Sequence, residues 1–334
     1  MKNMDKKSRY CKWTFGLVLT IVCSLPVIRV TAQQLPVYSQ YSFNAFLLNP
    51  AAAGAEGYTA INTTTRQQWV GVEGAPVTYC LSMQSRIKKK TILTGASAKK
   101  RYGSNQTGRV GIGGYVYKDR IGLMDQTGAE FTYAYHIAGS TSQLSFGATF
   151  SFFQFKLNDQ GIRLAAPKDN LIDNEPMVMY IPDANVGVYY TNPHLFFGVS
   201  IFHLSSASVM FGPYKDKKYR LLRQYNTTAG FNIPLSSTLS IEPSCYLKIS
   251  EEWRLQGDAV AKLIYDRKLW MGIGYRNPGM IIGSVGFKIS RFYLGYAYDH
   301  SSNPLTTYSS GTHELMMAYK FGDNLRRYRW MERY

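Results

Sequence analysis

Between Trp253 and Phe321 apolar and polar residues alternate in four successive runs. Leu255, Ala259, Ala261, Leu263 and Tyr265 share one parity, and Arg254, Gln256, Asp258 and Lys262 share the other. A period of two predicts a strand, because successive side chains of an extended backbone point to opposite faces. Leu269, Met271, Ile273 and Tyr275 then oppose Gly272, Gly274 and Arg276, and Ile281, Val285, Phe287 and Ile289 oppose Ser284, Gly286 and Lys288. In the last run Phe292, Leu294, Tyr296 and Tyr298 oppose Arg291, Gly295 and Asp299. The links, at Asp266, Asn277-Pro278-Gly279 and Ser290, are so short that they join only antiparallel neighbours, which predicts a meander. One face is apolar and aromatic; the other carries charge. Runs of about ten residues recur along most of the chain, the length of a tilted strand crossing a bilayer.

Taken in order, the same pattern predicts strands over residues 58–69, 77–86, 109–118, 127–137, 144–156, 185–190, 195–202, 225–233 and 239–249, and a last one over 313–321. With the meander this makes about fourteen, an even number as single-chain bacterial barrels have. The fold expected is an all-β, antiparallel, up-and-down transmembrane barrel. A change of parity near Phe152-Phe153 suggests a bulge, and a short extra strand is possible around Thr91–Leu93. Asn158 to Pro182 reads as a large surface loop or an inward plug. Connections after the fifth, seventh and thirteenth strands are long, whereas those after the fourth, sixth, eighth, tenth and twelfth are short. That is the asymmetry of external loops and periplasmic turns, with the basic Lys88–Asn105 link as a misfit. An even strand number also predicts that both termini lie on the periplasmic side.

Residues 1–32 change the picture of where the chain goes. Lys2, Lys6, Lys7, Arg9 and Lys12 precede an apolar core from Phe15 to Ile28, and Val30-Thr31-Ala32 offers a small-residue cleavage pattern near Ala32, as a secretory signal peptide does. No later run reaches 18 apolar residues, so a barrel is the expected route through lipid. The remaining 32 basic and 20 acidic residues make a secreted chain basic, and the charge is spread over strands and turns, which speaks against nucleic acid. Cys80 falls on the polar face and Cys245 on the apolar face, so no disulfide between them is expected.

Residues 33–57 precede any clear strand. They hold an aromatic patch (Tyr38, Tyr41, Phe43, Phe46) and the run Leu47 to Gly54, in which Asn49 can cap one helical turn, Pro50 suits its first position and Gly54 can end it. The segment is too small for its own core and is expected to pack in the barrel lumen or at the periplasmic mouth. Residues 58–321 form the barrel, and 322–334 a basic, aromatic tail carrying Arg326, Arg327, Arg329 and Trp330.

The chemistry-bearing residues do not form a recognisable centre. His136, His194, His203, His300 and His313 show no metal-ligand spacing, and His136, inward by parity, reads as an ordinary hydrogen-bonded histidine. Ser and Thr are too frequent for Ser240–Ser250 or Thr312-His313-Glu314 to define a hydrolase. Gly-rich runs such as Gly111-Ile112-Gly113-Gly114 precede no helix and read as space in the lumen rather than as a phosphate loop. No catalytic residue, metal or cofactor is expected. Glu130, Arg254, Asp258, Lys262, Lys288, Asp299, Glu314 and Lys320 are expected to put charge of both signs inside, in a hydrated or plugged lumen.

Ser39-Gln40-Tyr41 with Asn44, Leu48-Asn49-Pro50-Ala51-Ala52-Ala53-Gly54, Arg66-Gln67-Gln68-Trp69, Gly74-Ala75-Pro76-Val77-Thr78-Tyr79, Leu294 to Asp299 and Gly311 to Leu315 resemble, in order and spacing, the pattern of PorP/SprF proteins. The resemblance covers about Gln34 to Phe321. It implies an outer-membrane component of the type IX secretion system of Bacteroidetes, without enzymatic activity or cofactor. Such a component supports secretion or surface attachment of cell-surface proteins such as gliding adhesins. The partners implied are outer-membrane lipids, other secretion proteins, periplasmic or peptidoglycan-associated proteins, and cargo. A solute channel stays open as the alternative; a lumen filled by the N-terminal segment would favour the secretion component. Asn49, Pro50, Gly54, Arg66 and Trp69 either dock a partner or shape a turn and anchor the first strand. Arg326, Arg327, Arg329 and Trp330 are candidates for periplasmic docking.

Overall fold

The computed structural model describes residues 38–87, 109–157, 177–210, 218–302 and 307–322. The leader (1–32), the Lys88–Asn105 link with its possible strand at Thr91–Leu93, most of the Asn158–Pro182 stretch and the tail residues Arg326, Arg327, Arg329 and Trp330 lie outside them.

Among the described residues fourteen long strands form one antiparallel sheet that closes on itself: β1 (Thr59–Gln67), β2 (Val77–Ile87), β3 (Val110–Ile121), β4 (Met124–Ala138), β5 (Gln143–Leu157), β6 (Met177–Thr191), β7 (Leu195–Phe202), β8 (Gln224–Phe231), β9 (Leu239–Ser250), β10 (Leu255–Tyr265), β11 (Leu269–Arg276), β12 (Met280–Ile289), β13 (Phe292–Ser301) and β14 (Thr312–Phe321). Each pairs with its neighbour in sequence, and β1 closes the ring on β14, with Thr59 opposite Phe321 and Gln67 opposite His313. Closure leaves no sheet edge, which is what a sheet in lipid requires. No helix of the described residues is long and apolar enough to span a membrane. A two-stranded ribbon, Ser208–Met210 with Lys218–Arg220, stands on the β7–β8 connection.

Alternation sorts side chains between the two faces as the period of two requires. Leu269, Met271, Ile273 and Tyr275 of β11 are exposed on the outside, while Trp270 and Arg276 are buried inside. On β4 Phe131, Tyr133, Tyr135 and Ile137 face out, and Thr132, Ala134 and His136 are buried. Cys80 is buried and Cys245 lies on the outward parity; both are free thiols.

Three expectations need correction. The β5 ladder runs unbroken against both neighbours, from Gln143–Ala138 to Leu157–Met124 and from Gln143–Thr191 to Leu157–Met177, so Phe152-Phe153 is no bulge. Phe153 is an aromatic residue on the inward parity, packed against Ile181. β6 begins at Met177, eight residues before the expected start, and contains Pro182. Above Val186 β6 has a ladder partner only in β5, so a residue without an N–H is tolerated there. Arg254 is not a lumen charge: it sits in the β9–β10 turn, half exposed, paired with Glu252 at 2.8 Å.

β1 begins, and β14 ends, at one mouth, here the turn end, where β4–β5, β6–β7, β10–β11 and β12–β13 are joined by short links. At the opposite mouth, the loop end, lie the connections after β1, β5, β7 and β13.

Candidate functional site in the barrel lumen

Residues 38–57 belong to no strand, and nearly all are buried. Two short 3-10 turns, Ala45–Leu47 and Pro50–Ala52, fold the segment compactly. The second turn forms where the sequence asks for it. The Asn49 side chain accepts the Ala51 N–H at 2.9 Å, and Pro50 follows the cap, where its missing N–H would have had no helical partner.

The partners of this segment are inward-facing groups around the ring. Tyr41 Oη lies 2.9 Å from Ser244 Oγ of β9, Asn44 Nδ2 donates to Ser82 Oγ of β2 at 3.0 Å, and Ser200 Oγ of β7 donates to the Leu48 carbonyl at 2.6 Å. Asn49 Nδ2 donates to the Val188 and Val199 carbonyls of β6 and β7. His136 Nε2 contacts the Ala53 carbonyl at 3.0 Å, and its Nδ1 contacts Ser145 Oγ at 2.8 Å. Lys262 of β10 donates to Ser42 Oγ. The segment therefore occupies the lumen.

Space for it comes from glycine on the inner wall. A Cβ on Gly147 would stand 2.3 Å from the Ala51 nitrogen, on Gly187 2.1 Å from Asn49 Oδ1, on Gly111 2.0 Å from the Ala53 carbonyl oxygen, and on Gly113 2.7 Å from the Phe46 ring. The wall and its filling are fitted to each other at closer range than any side chain permits. Gly54 needs its glycine twice over: its φ is +69°, and a Cβ would meet the Ser85 carbonyl oxygen at 2.8 Å.

At the loop end the segment is held by a buried charge cluster drawn from five strands. Arg66 of β1 bonds Glu314 of β14 at 2.8 Å and Asp299 of β13 at 2.7 Å; Arg276 of β11 bonds Asp258 of β10 at 2.8 Å and Asp299 at 3.1 Å. All five side chains are 5% exposed or less. The cluster closes on a dipeptide. Glu314 accepts the Ser39 N–H at 2.8 Å through one oxygen and the Gln40 N–H at 2.9 Å through the other, while Ser39 Oγ donates to Asp299 Oδ2 at 2.6 Å and accepts from Arg66 at 2.8 Å. Gln40 then lies over Gly295, where a Cβ would be 2.2 Å from its Oε1. Burying charge gains little net stability, because desolvation offsets the attraction, but leaving one member unpaired costs several kcal/mol. The cluster thus fixes where the segment must sit.

At the turn end Lys320 of β14 does the corresponding work. It reaches Glu56 at 3.3 Å and the Tyr58 hydroxyl at 2.7 Å, and lies 4.4 Å from the centre of the Tyr293 ring. Phe43 packs there with Trp270, Tyr293, Met316 and Ile264.

The residues singled out from the sequence are divided between these places. Asn49 and Pro50 sit mid-lumen against β5, β6 and β7, Gly54 lies near β2 and β3, and Arg66 belongs to the charge cluster. Trp69 lies past the end of β1 with φ +48° and donates its N–H to Thr312 Oγ1 at 3.3 Å. Ser39, Gln40, Asp258, Arg276, Asp299 and Glu314 complete a cluster that no residue spacing announced. Inward parity marked the four strand residues as polar-face positions, but convergence of distant strands has no local signature. Among the described residues no group of His, Cys, Asp and Glu could hold a metal ion.

Comparison with known proteins adds the family. No curated protein matches the chain. Solved barrels resemble it weakly: the outer membrane protein Omp33 of Acinetobacter baumannii has 11% identity and a TM-score of 0.43, covering 80% of this chain and 100% of that one. A FadL homologue of Pseudomonas aeruginosa has 10% identity and a TM-score of 0.44, covering 86% and 95%. The family described as type IX secretion system membrane protein PorP/SprF matches residues 30–319, a span that holds the whole barrel but its last two residues together with the segment inside it. The chain is an outer-membrane β-barrel and belongs to the PorP/SprF family of type IX secretion system membrane proteins.

Proposed function

We propose that this protein is a non-enzymatic component of the secretion system that supports secretion or surface attachment of cell-surface proteins, gliding adhesins among them. It works by offering its mouths and loops to other proteins and does not pass small solutes. The observation that carries this reading is the segment of residues 38–57 in the lumen, bonded to strands around the ring and seated on wall glycines. A solute pathway needs a water-lined passage, and here the inward side chains of Ser200, His136, Gln143 and Glu314 are bonded to the backbone of the segment. Asn49, Pro50, Gly54 and Arg66 fit seating this segment better than binding a partner, since all are buried. The partners are other secretion proteins and periplasmic or peptidoglycan-associated proteins, met at the two mouths.

The test is conductance and display measured on the same protein. Full-length barrel in planar bilayers is expected to show no stable open level, and cells lacking it are expected to lose surface display of cargo. A steady, wide single-channel conductance with display unaffected would overturn this reading in favour of the solute channel.

A further inference from the structure

The short links at the turn end differ in charge. Those after β4, β6 and β8, residues 139–142, 192–194 and 232–238, hold no Lys, Arg, Asp or Glu. Those after β10 and β12 carry Asp266, Arg267 and Lys268 in one and Arg291 in the other. The two turns touch: the Lys288 N–H donates to the Lys268 carbonyl at 2.6 Å. Lys288 itself is turned inward, over the buried Tyr293 ring at 5.1 Å, and Lys268 is paired with Asp266 at 2.5 Å. Arg267 and Arg291 are exposed, and neither has a carboxylate partner among the described residues. The loop-end links of the same sector, 251–254 and 277–279, lack this excess: they hold two acidic residues and one basic, and Arg254 is paired with Glu252.

The β10–β11 turn does not ask for its arginine. Both of its central residues have positive φ, +48° at Asp266 and +51° at Arg267. A two-residue hairpin turn with that backbone favours glycine at the second position, because a Cβ is disfavoured there. Depth gives the arginine a use. Tyr265, Leu269, Ile289 and Phe292 adjoin the two turns and are exposed on the outside of the wall. Phe292 lies 4.7 Å from the Tyr319 ring and Tyr319 5.4 Å from the Phe321 ring, an aromatic band at the end of the strands. Such a band marks where hydrocarbon gives way to headgroups, so the turns just beyond it stand at the level of lipid phosphates. A guanidinium there can bind a phosphate through two parallel hydrogen bonds. An acidic protein would also suit two arginines, but the side chains beside them are the apolar outer ones of a wall that lies in lipid.

We propose that the turn-end rim of β10 to β13 is a binding surface for anionic phospholipid, Arg267 and Arg291 taking the headgroups and Tyr265, Leu269, Ile289 and Phe292 the acyl chains next to them. The unbalanced charge makes the surface select anionic over zwitterionic lipid. It gives one sector of the ring a lipid preference that the uncharged turns after β4, β6 and β8 do not share.

Lipid binding to full-length barrel in neutral detergent tests this, with phosphatidylglycerol and phosphatidylcholine of equal chain length titrated separately, bound lipid counted by native mass spectrometry and folding checked by heat-modifiable gel migration. The parent protein is expected to bind phosphatidylglycerol more tightly than phosphatidylcholine. Arg267→Gly, which relieves the backbone at the turn, and Arg291→Gln should each weaken phosphatidylglycerol binding about fivefold, the equivalent of about 1 kcal/mol per basic side chain at an anionic surface. Phosphatidylcholine binding should not change. Arg267→Lys should keep the preference, and so should Arg109→Gln, which removes an exposed turn-end arginine beside β3, four strands round the ring from β13. Equal binding of the two lipids by the parent would overturn the proposal, as would an Arg109→Gln loss as large as that at Arg267, which would mean attraction by overall charge. A preference unchanged in the double variant Arg267→Gly, Arg291→Gln would overturn it too, and would leave an acidic protein as the ligand for these arginines.

Discussion

Arg66 shows what a single residue does in this molecule. Its guanidinium joins Glu314, Asp299 and the Ser39 hydroxyl, all buried. Arg66→Ala leaves Glu314 with the two backbone amides of the segment as its hydrogen-bond partners and Asp299 with Arg276 as its remaining paired cation, and should cost about 3 to 5 kcal/mol, because the carboxylates stay out of water without their partner. Denaturant titration of the refolded barrel measures this. The double variant Arg66→Ala, Glu314→Ala should be less destabilised than the sum of the two single variants, the coupling expected of groups in contact. Strict additivity would mean that the cluster does not hold together in the folded protein.

At the scale of elements, each strand does two jobs set by its parity, and the two faces should answer to different substitutions. Inward, Gly147→Val would drive a branched side chain into the Ala51 backbone. It should destabilise the barrel by at least the roughly 1 to 3 kcal/mol of an overpacked core. Gly283→Ala, outward on β12 with its nearest heavy atom at 3.9 Å, should be close to neutral in the same titration. Outward, Ile273 of β11 is 67% exposed, and Ile273→Arg should cost about 2 to 4 kcal/mol if it lies near the bilayer midplane. Refolding into vesicles compares it with an arginine placed at Tyr308 in the external loop, where little change is expected; equal tolerance at the two sites would contradict the lipid-facing assignment.

For the whole molecule, a barrel filled by its own N-terminal segment leaves binding to the mouths. β14 ends at the turn mouth, and the basic residues 322–334, with Arg326, Arg327, Arg329 and Trp330, follow it in sequence. Arg and Trp are the residue types that dominate binding hot spots, and a cationic segment favours an acidic partner. Deleting 322–334 should reduce recovery of periplasmic partners in a pull-down and weaken cargo display, with heat-modifiable migration unchanged. Undiminished recovery would move the search for a docking surface to the Lys88–Asn105 link.

The sequence by itself determined the number of strands, their antiparallel order and which face of each points out of the barrel, because alternation with period two and short links are local properties of the chain. It also marked Ser39-Gln40, Asn49 to Gly54 and Arg66 as parts of a family pattern, and placed Asp258, Asp299 and Glu314 on the inward parity. Pro182 and Phe153 misled because proline and an inward aromatic break the local pattern without breaking the ladder. Only the tertiary structure decided that five charged side chains from β1, β10, β11, β13 and β14 meet on one dipeptide, that inward glycines are the seat of residues 38–57, and that this segment runs from the loop end to the turn end. Those are relations between residues as much as 275 positions apart, set by closure of the ring, and periodicity along a strand holds no information about them.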